Sequence, residues 1–114
     1  MEEYINLAYN QALKSTVHNQ YGAVIIYRNK VIGIGNNSLT TGVLNYKSSK
    51  YTPNKYSTHA EKNCIMSVKN KNLLNKCKII IVKIVNGKPV LRNCCDMCSK
   101  LINKYKINNP FKHV

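Results

Sequence analysis

Acidic side chains are scarce in this sequence. Its 114 residues hold four of them, Glu2, Glu3, Glu61 and Asp96, against 18 Lys and Arg. Chemistry that needs a pair of carboxylates, such as glycosidase-type hydrolysis, has little to work with. Long hydrophobic runs are missing as well. No apolar stretch approaches the roughly 20 residues of a membrane span, and Ile79–Val82 is bounded by Lys78 and Lys83. No membrane partner is therefore expected. The N-terminus opens Met1-Glu2-Glu3, with no basic and then apolar segment, so no secretory signal is expected either. There is no internal repeat, low-complexity linker or compositional break, which makes residues 1–114 a single domain. A chain of this length buries about two-thirds of its unfolded surface, enough for a small core.

The surplus of positive charge, a formal +14 at pH 7, attracts anions such as nucleotides, nucleic acid or acidic lipid. Sixteen of the 18 cations are Lys, in a chain also crowded with Asn and Ile. An A/T-rich genome would produce the same bias, so drift and selection for a polyanionic partner both account for it. Five cysteines, Cys64, Cys77, Cys94, Cys95 and Cys98, make an odd count. Without a secretory signal this argues for a reducing, cytoplasmic setting rather than a disulfide framework. Three of them fall within five residues, a clustering that suggests metal.

Apolar Tyr4, Ile5, Ala8, Ala12 and Leu13 recur at helical spacing and predict a first helix over 3–18, with acids at its start to suit the dipole. The β-branched runs 22–28 and 31–35 predict a hairpin turning at Asn29-Lys30, although the turn lacks the favoured glycine. From Asn36 to about Ser57 turn formers dominate, and a loop this long in a small domain is functional or mobile. A second helix is predicted from Thr58 to Lys69, with Ala60, Cys64, Ile65 and Val68 inward. Residues 78–85 read as a buried strand, Asn86-Gly87 as a hairpin turn returning through Pro89-Val90-Leu91, and 95–105 as a third helix. The order is α-β-β-α-β-α.

Two short motifs open the second and third helices: Thr58-His59-Ala60-Glu61 and Asn93-Cys94-Cys95-Asp96-Met97-Cys98. Cysteines at i and i+3 on a helix's first turn place both sulfurs on one side, two corners of a tetrahedron. Zinc accepts two thiolates and one imidazole and can keep a fourth position for water. Helix N-termini and the metal both lower thiol pKa values. Such a site needs a nearby proton carrier, and Glu61 is the one acid placed to serve. Plainer readings stand beside this one. Thr58 and Glu61 have capping-box spacing, C-x-x-C alone fits a redox pair, and Cys64 with Cys77 could complete a closed structural zinc site. The conjunction of both half-motifs at helix starts, in the order H-x-E and then C-x-x-C, outweighs coincidence.

In these residues the chain resembles the cytidine and deoxycytidylate deaminase superfamily, whose zinc signature is H-x-E…P-C-x-x-C. The likeness extends to Gly22-Ala23-Val24-Ile25-Ile26, to Val31-Ile32-Gly33-Ile34-Gly35-Asn36-Asn37 and to Leu91-Arg92-Asn93, and covers roughly residues 3–106. It implies an α/β fold, a three-layer α-β-α cytidine deaminase-like architecture around a central mixed sheet. It also implies that His59, Cys95 and Cys98 bind zinc, that Glu61 shuttles protons, and that Asn37 and the amide of Ala60 contact substrate. The implied reaction is zinc-dependent hydrolytic deamination of a cytosine nucleoside or nucleotide.

Two departures bear on specificity. Cys94 stands where the family has proline before its first cysteine. Beyond the third helix only Lys106–Val114 remains, interrupted by Pro110, so the fold is expected to be truncated at its C-terminus. A partner subunit in a homo-oligomer would then complete the sheet edge. Tyr46, Tyr51 and Tyr56 alternate with Lys47, Lys50 and Lys55, a pattern that can stack bases and hold phosphates. Cytosine or adenine in single-stranded DNA or RNA is therefore the alternative substrate. A non-catalytic nucleic-acid-binding module with a four-ligand zinc is the alternative of a different class.

Overall fold

The computed structural model describes residues 2–17, 19–39, 57–92 and 96–108. Helix α1 (Glu2–Leu13) is followed by strands β1 (Tyr21–Tyr27) and β2 (Lys30–Asn36), then by the short pair β3 (Ser38–Leu39) and β4 (Ser57–Thr58). Helix α2 (Ala60–Ser67), a 3-10 helix (Lys71–Lys76), strands β5 (Lys78–Val85) and β6 (Lys88–Arg92), and helix α3 (Asp96–Tyr105) complete the order. The main sheet runs β2-β1-β5-β6, every pair antiparallel. Parallel pairing enters at a single bridge among the described residues, Lys78 with Asn108. The mixed character expected of the sheet is thus confined to the start of β5.

The two central strands explain the layering. Successive side chains of a strand point to opposite faces, and in β1 and β5 both faces are apolar. Val24, Ile26, Ile80 and Val82 join Ala8 of α1 on one side. Ala23, Ile25, Ile79 and Ile81 join Ala60, Cys64 and Ile65 of α2 and Ile102 of α3 on the other. Strands buried on both faces read as continuous apolar runs rather than alternating ones. The result is the expected three-layer α-β-α arrangement.

Several boundaries differ from those the sequence predicts, each for a local reason. The first hairpin turns at Arg28-Asn29, with Tyr27 paired to Lys30. Both turn residues adopt positive φ, 51° and 64°, as a primed two-residue turn requires even without glycine. Helix α1 stops at Leu13, short of the predicted end, because its last turn tightens, Lys14 N–H donating to Gln11 O at 3.1 Å and Ser15 N–H to Ala12 O at 3.0 Å. The Ser15 hydroxyl then takes the Val17 amide at 3.2 Å, a local bond that competes with helix. Helix α2 begins at Ala60, two residues after Thr58 has paired with Ser38 in β3–β4, and it ends at Ser67, short of Lys69. The 3-10 helix that follows was not anticipated. Its signal is Asn70, whose side chain accepts the Asn72 amide at 3.1 Å.

Asn86-Gly87 does form the second hairpin turn, with φ of 52° and 77°. Helix α3 ends in the left-handed residue Lys106 (φ 58°). Lys106 N–H donates to Asn103 O and Ile107 N–H to Ile102 O, both at 3.1 Å, a Schellman closure with Ile102 and Ile107 in one apolar cluster. That closure aims the chain back at the sheet. Asn108 N–H then donates to Cys77 O at 3.0 Å and Ile79 N–H to Asn108 O at 2.9 Å. No helix among the described residues is long and apolar enough to cross a membrane.

Candidate metal and catalytic site

The position of α2 is set by three contacts with β2. Asn63 Nδ2 donates to Asn36 O at 2.7 Å. Ser67 Oγ accepts the Ile34 amide at 3.1 Å while donating to Cys64 O at 2.6 Å. Asn63 and Ser67 are four apart and so share one helix face. Between these two bonds lies Gly35, where an added Cβ would stand 2.8 Å from Ala60 O and 2.8 Å from Cys64 Cα. Glycine lets the helix backbone rest directly on the strand. This contact holds the first turn of α2 against the sheet.

That first turn carries His59 and Glu61. His59 is the N-cap, with φ −71° and ψ 152°, and its side chain makes no capping bond. Because the cap falls at His59, the spacing of Thr58 to Glu61 is no longer that of a capping box, and that reading is set aside. Glu61 is 5% exposed in the first turn of α2, where the helix dipole favours a carboxylate. A carboxylate is rarely this buried unless something pairs with it.

Cys98, in the first half of α3, meets this turn from across the sheet's α2 face and is also 5% exposed. Its Sγ lies 3.4 Å from His59 Nδ1. A tetrahedral zinc with ordinary Zn–N and Zn–S bonds would hold two such atoms about 3.6 Å apart. Donor atoms of His59, Glu61 and Cys98 all lie within 4.8 Å of one another. The three residues thus form a candidate zinc site, and the soft sulfur with imidazole suits that metal. Cys95, expected as a further ligand, lies outside the described residues, as do Cys94 and the Tyr46–Tyr56 stretch.

The remaining described cysteines are placed elsewhere. Burial, and secondarily the charge of Glu61, pushes the Cys64 thiol far above its ordinary range. Burial raises Cys77 as well, and its Sγ is engaged with Leu73 O at 3.1 Å. Neither belongs to the metal-capable cluster found among the described residues. Among the described residues, Cys64 and Cys77 complete no closed metal site.

Asn37 and Ala60 occupy the same end of the sheet. Ala60 is the first residue of α2 and fully buried. Asn37 follows β2 and is buried, its Oδ1 accepting the Tyr21 amide at 2.9 Å and its Nδ2 donating to Asn19 O at 2.5 Å. Each polar atom of that side chain keeps one further bonding position. Asn63, Ser67 and Gly35, which steady the site, were not singled out from the sequence. The spacing of Asn63 and Ser67 on α2 was the available signal.

A family described as the cytidine and deoxycytidylate deaminase zinc-binding region matches residues 1–111. Among solved structures, the chain is similar to the dCMP deaminase of cyanophage S-TIM5 in its apo form, with 16% identity and a TM-score of 0.62 over 93% of this chain and 75% of that one. The same phage enzyme in complex with dCMP and dUMP matches equally, at 16% identity and TM-score 0.62, over 93% and 74% of the two chains. A mutant cytidine deaminase from Mycobacterium tuberculosis gives 14% identity and a TM-score of 0.62 over 97% of this chain and 86% of that one. At these identities the likeness is one of fold. No curated protein sequence matches the chain significantly.

Proposed function

The chain belongs to the cytidine and deoxycytidylate deaminase zinc-binding family, and on that premise we propose that it hydrolyses a cytosine nucleoside or nucleotide to the uracil product and ammonia. The observation that carries the reading is the meeting of His59, Glu61 and Cys98 donor atoms within 4.8 Å at the starts of two helices. The nucleotide-bound phage relative supports a substrate of the dCMP kind. A net charge of +14 favours a phosphorylated ligand over a neutral one.

In this reading His59 and Cys98, together with Cys95, would hold the zinc, which when bound would supply Lewis acidity that brings the pKa of water toward 7. Glu61 does the proton work. Its carboxylate takes one proton from the attacking water and delivers it to the ring nitrogen, then takes the second from the new hydroxyl on the amino-bearing carbon and passes it to the departing ammonia. Positioned proton transfer of this kind contributes about 100- to 10,000-fold. Burial of Glu61 keeps bulk water from competing for that carboxylate. The Ala60 amide, at a helix N-terminus where backbone donors lack intrahelical partners, and the remaining bonding positions of Asn37 orient the substrate.

The test is ammonia release by the purified, zinc-loaded protein from cytidine, deoxycytidine, CMP, dCMP, adenosine and single-stranded oligonucleotides. The expected result is turnover of a free cytosine nucleoside or nucleotide, with the phosphorylated form preferred. Turnover of oligonucleotides alone would replace this substrate class with the polynucleotide one. Absence of ammonia from every substrate would contradict the enzyme reading itself. Association into a homo-oligomer belongs to the same proposal and is read by light scattering.

A further inference from the structure

Behind Asn37 lies a buried polar network that the reaction chemistry does not use. Ser15 and Asn37 are each 6% exposed, yet 22 residues apart in sequence. Ser15 Oγ donates to Asn37 O at 2.6 Å and accepts the Val17 amide at 3.2 Å, so both roles of the hydroxyl are taken. Asn37 N–H donates to Tyr21 O at 3.3 Å, and the two atoms of its side-chain amide hold Tyr21 N–H and Asn19 O. These partners fix which way the amide faces, since Oδ1 must accept and Nδ2 must donate. Gln20 Nε2 donates to Ser15 O at 2.9 Å, and Gln20 O accepts the Ile84 amide at 3.0 Å. One network therefore joins the end of α1, the start of β1, the end of β2 and the end of β5.

We propose that Ser15 is a positioning residue for substrate binding, acting through Asn37. The inference rests on the reading that Asn37 contacts substrate. Ser15, 6% exposed, is the anchor on the Asn37 backbone from α1's side. Removing its hydroxyl takes that partner from the buried Asn37 carbonyl and from the half-buried Val17 amide. A buried polar group left without a partner is costly, and a shift of residue 37 that relieves the cost disturbs the orientation in which its amide is held by Tyr21 and Asn19. His59, Glu61 and Cys98 stand on α2 and α3, which none of these bonds touches. The defect should fall on binding and spare the chemical step.

The experiment compares Ser15→Ala, Ser15→Thr, Gln20→Ala and Asn37→Ala with the unaltered protein, all zinc-loaded, on the best substrate of the panel and on its uracil product. KM and kcat are read by turnover, Kd of the product nucleotide by titration, and zinc by elemental analysis. For Ser15→Ala the expected result is a rise of about tenfold in KM and Kd, the equivalent of one lost hydrogen bond, with kcat within about twofold and zinc unchanged. Ser15→Thr, which keeps the hydroxyl, should restore most of the loss. Gln20→Ala should shift the same constants in the same direction by less, and it carries the test if Ser15→Ala does not fold. A lower melting temperature with KM and Kd unchanged would reduce Ser15 to a structural role and overturn the proposal. Equal loss in kcat and kcat/KM, with KM unchanged, would overturn it too. If Asn37→Ala leaves KM and Kd unchanged, the fault lies with the reading of Asn37, and the inference about Ser15 falls with it.

Discussion

Gly35→Ala is the substitution that most sharply probes how the fold holds the site. An ideal Cβ at position 35 falls within 2.8 Å of Ala60 O and of Cys64 Cα, and closer still to the Cys64 amide nitrogen. All of these are backbone atoms, so no side-chain rotation relieves the overlap. Ordinary contact begins near 3.4 Å, which requires α2 to lift from β2 by about 1 Å. Overpacking of this kind costs about 1–3 kcal/mol, and the rigidity of both partners places this case at the upper end. At roughly 4–8 °C per kcal/mol for a domain this size, the melting temperature should fall by roughly 10–20 °C. The same movement carries His59 and Glu61 away from Cys98, and a 1 Å misplacement of catalytic groups lowers turnover by about 100-fold. Thermal unfolding and ammonia release, measured on the folded zinc-loaded variant below its transition, check both numbers. Gly87→Ala is the control. Gly87 has φ 77° and nothing within 4 Å of its would-be Cβ, so alanine there costs about 1 kcal/mol of backbone strain and leaves turnover intact. A Gly35→Ala protein with unaltered melting temperature and unaltered turnover would refute the claim that this helix–strand contact supports the site.

Other consequences concern the metal and the thiols. His59→Ala should lower zinc content to a small fraction of one equivalent by elemental analysis, and full occupancy afterward would refute its place among the ligands. Cys64 and Cys77 are each no more than 1% exposed, with thiol pKa values raised by burial. Raised values keep a thiol protonated and unreactive up to higher pH. In the native protein at pH 7–8 both should resist a thiol-specific reagent and react only on unfolding, as peptide mapping would show; rapid native labelling of either would contradict the core placement.

What the sequence discloses, and what it conceals, divides by range. Gly-Ala-Val-Ile-Ile and Lys-Ile-Ile-Ile-Val-Lys-Ile-Val announce β1 and β5 because short apolar runs this rich in β-branched residues favour strand over helix. Asn86-Gly87 fixes a turn by local backbone preference. His59, Glu61 and Cys98 were legible as chemistry because each half-motif is confined to one helix start. The first turn was misplaced by one residue because Arg28 takes positive φ, which an arginine does not advertise. The early end of α1 was missed because apolar spacing continues up to the point where the Ser15 hydroxyl diverts the backbone. Contacts between distant polar residues left no periodic trace at all. Ser15 with Asn37, and Asn63 with Asn36, are pairings of topology, visible once β2 returns beside β1 and α2 lies across it.

The central claim is that a buried glutamate beside a histidine–cysteine metal site moves the protons of a hydrolytic deamination. Glu61→Gln tests it most directly, because the change keeps the shape of the side chain and removes its ability to take a proton. Ammonia release from the preferred cytosine substrate should fall by at least about 100-fold, while zinc content and melting temperature stay close to those of the unaltered protein. Undiminished turnover by a zinc-loaded, folded Glu61→Gln protein would contradict the account.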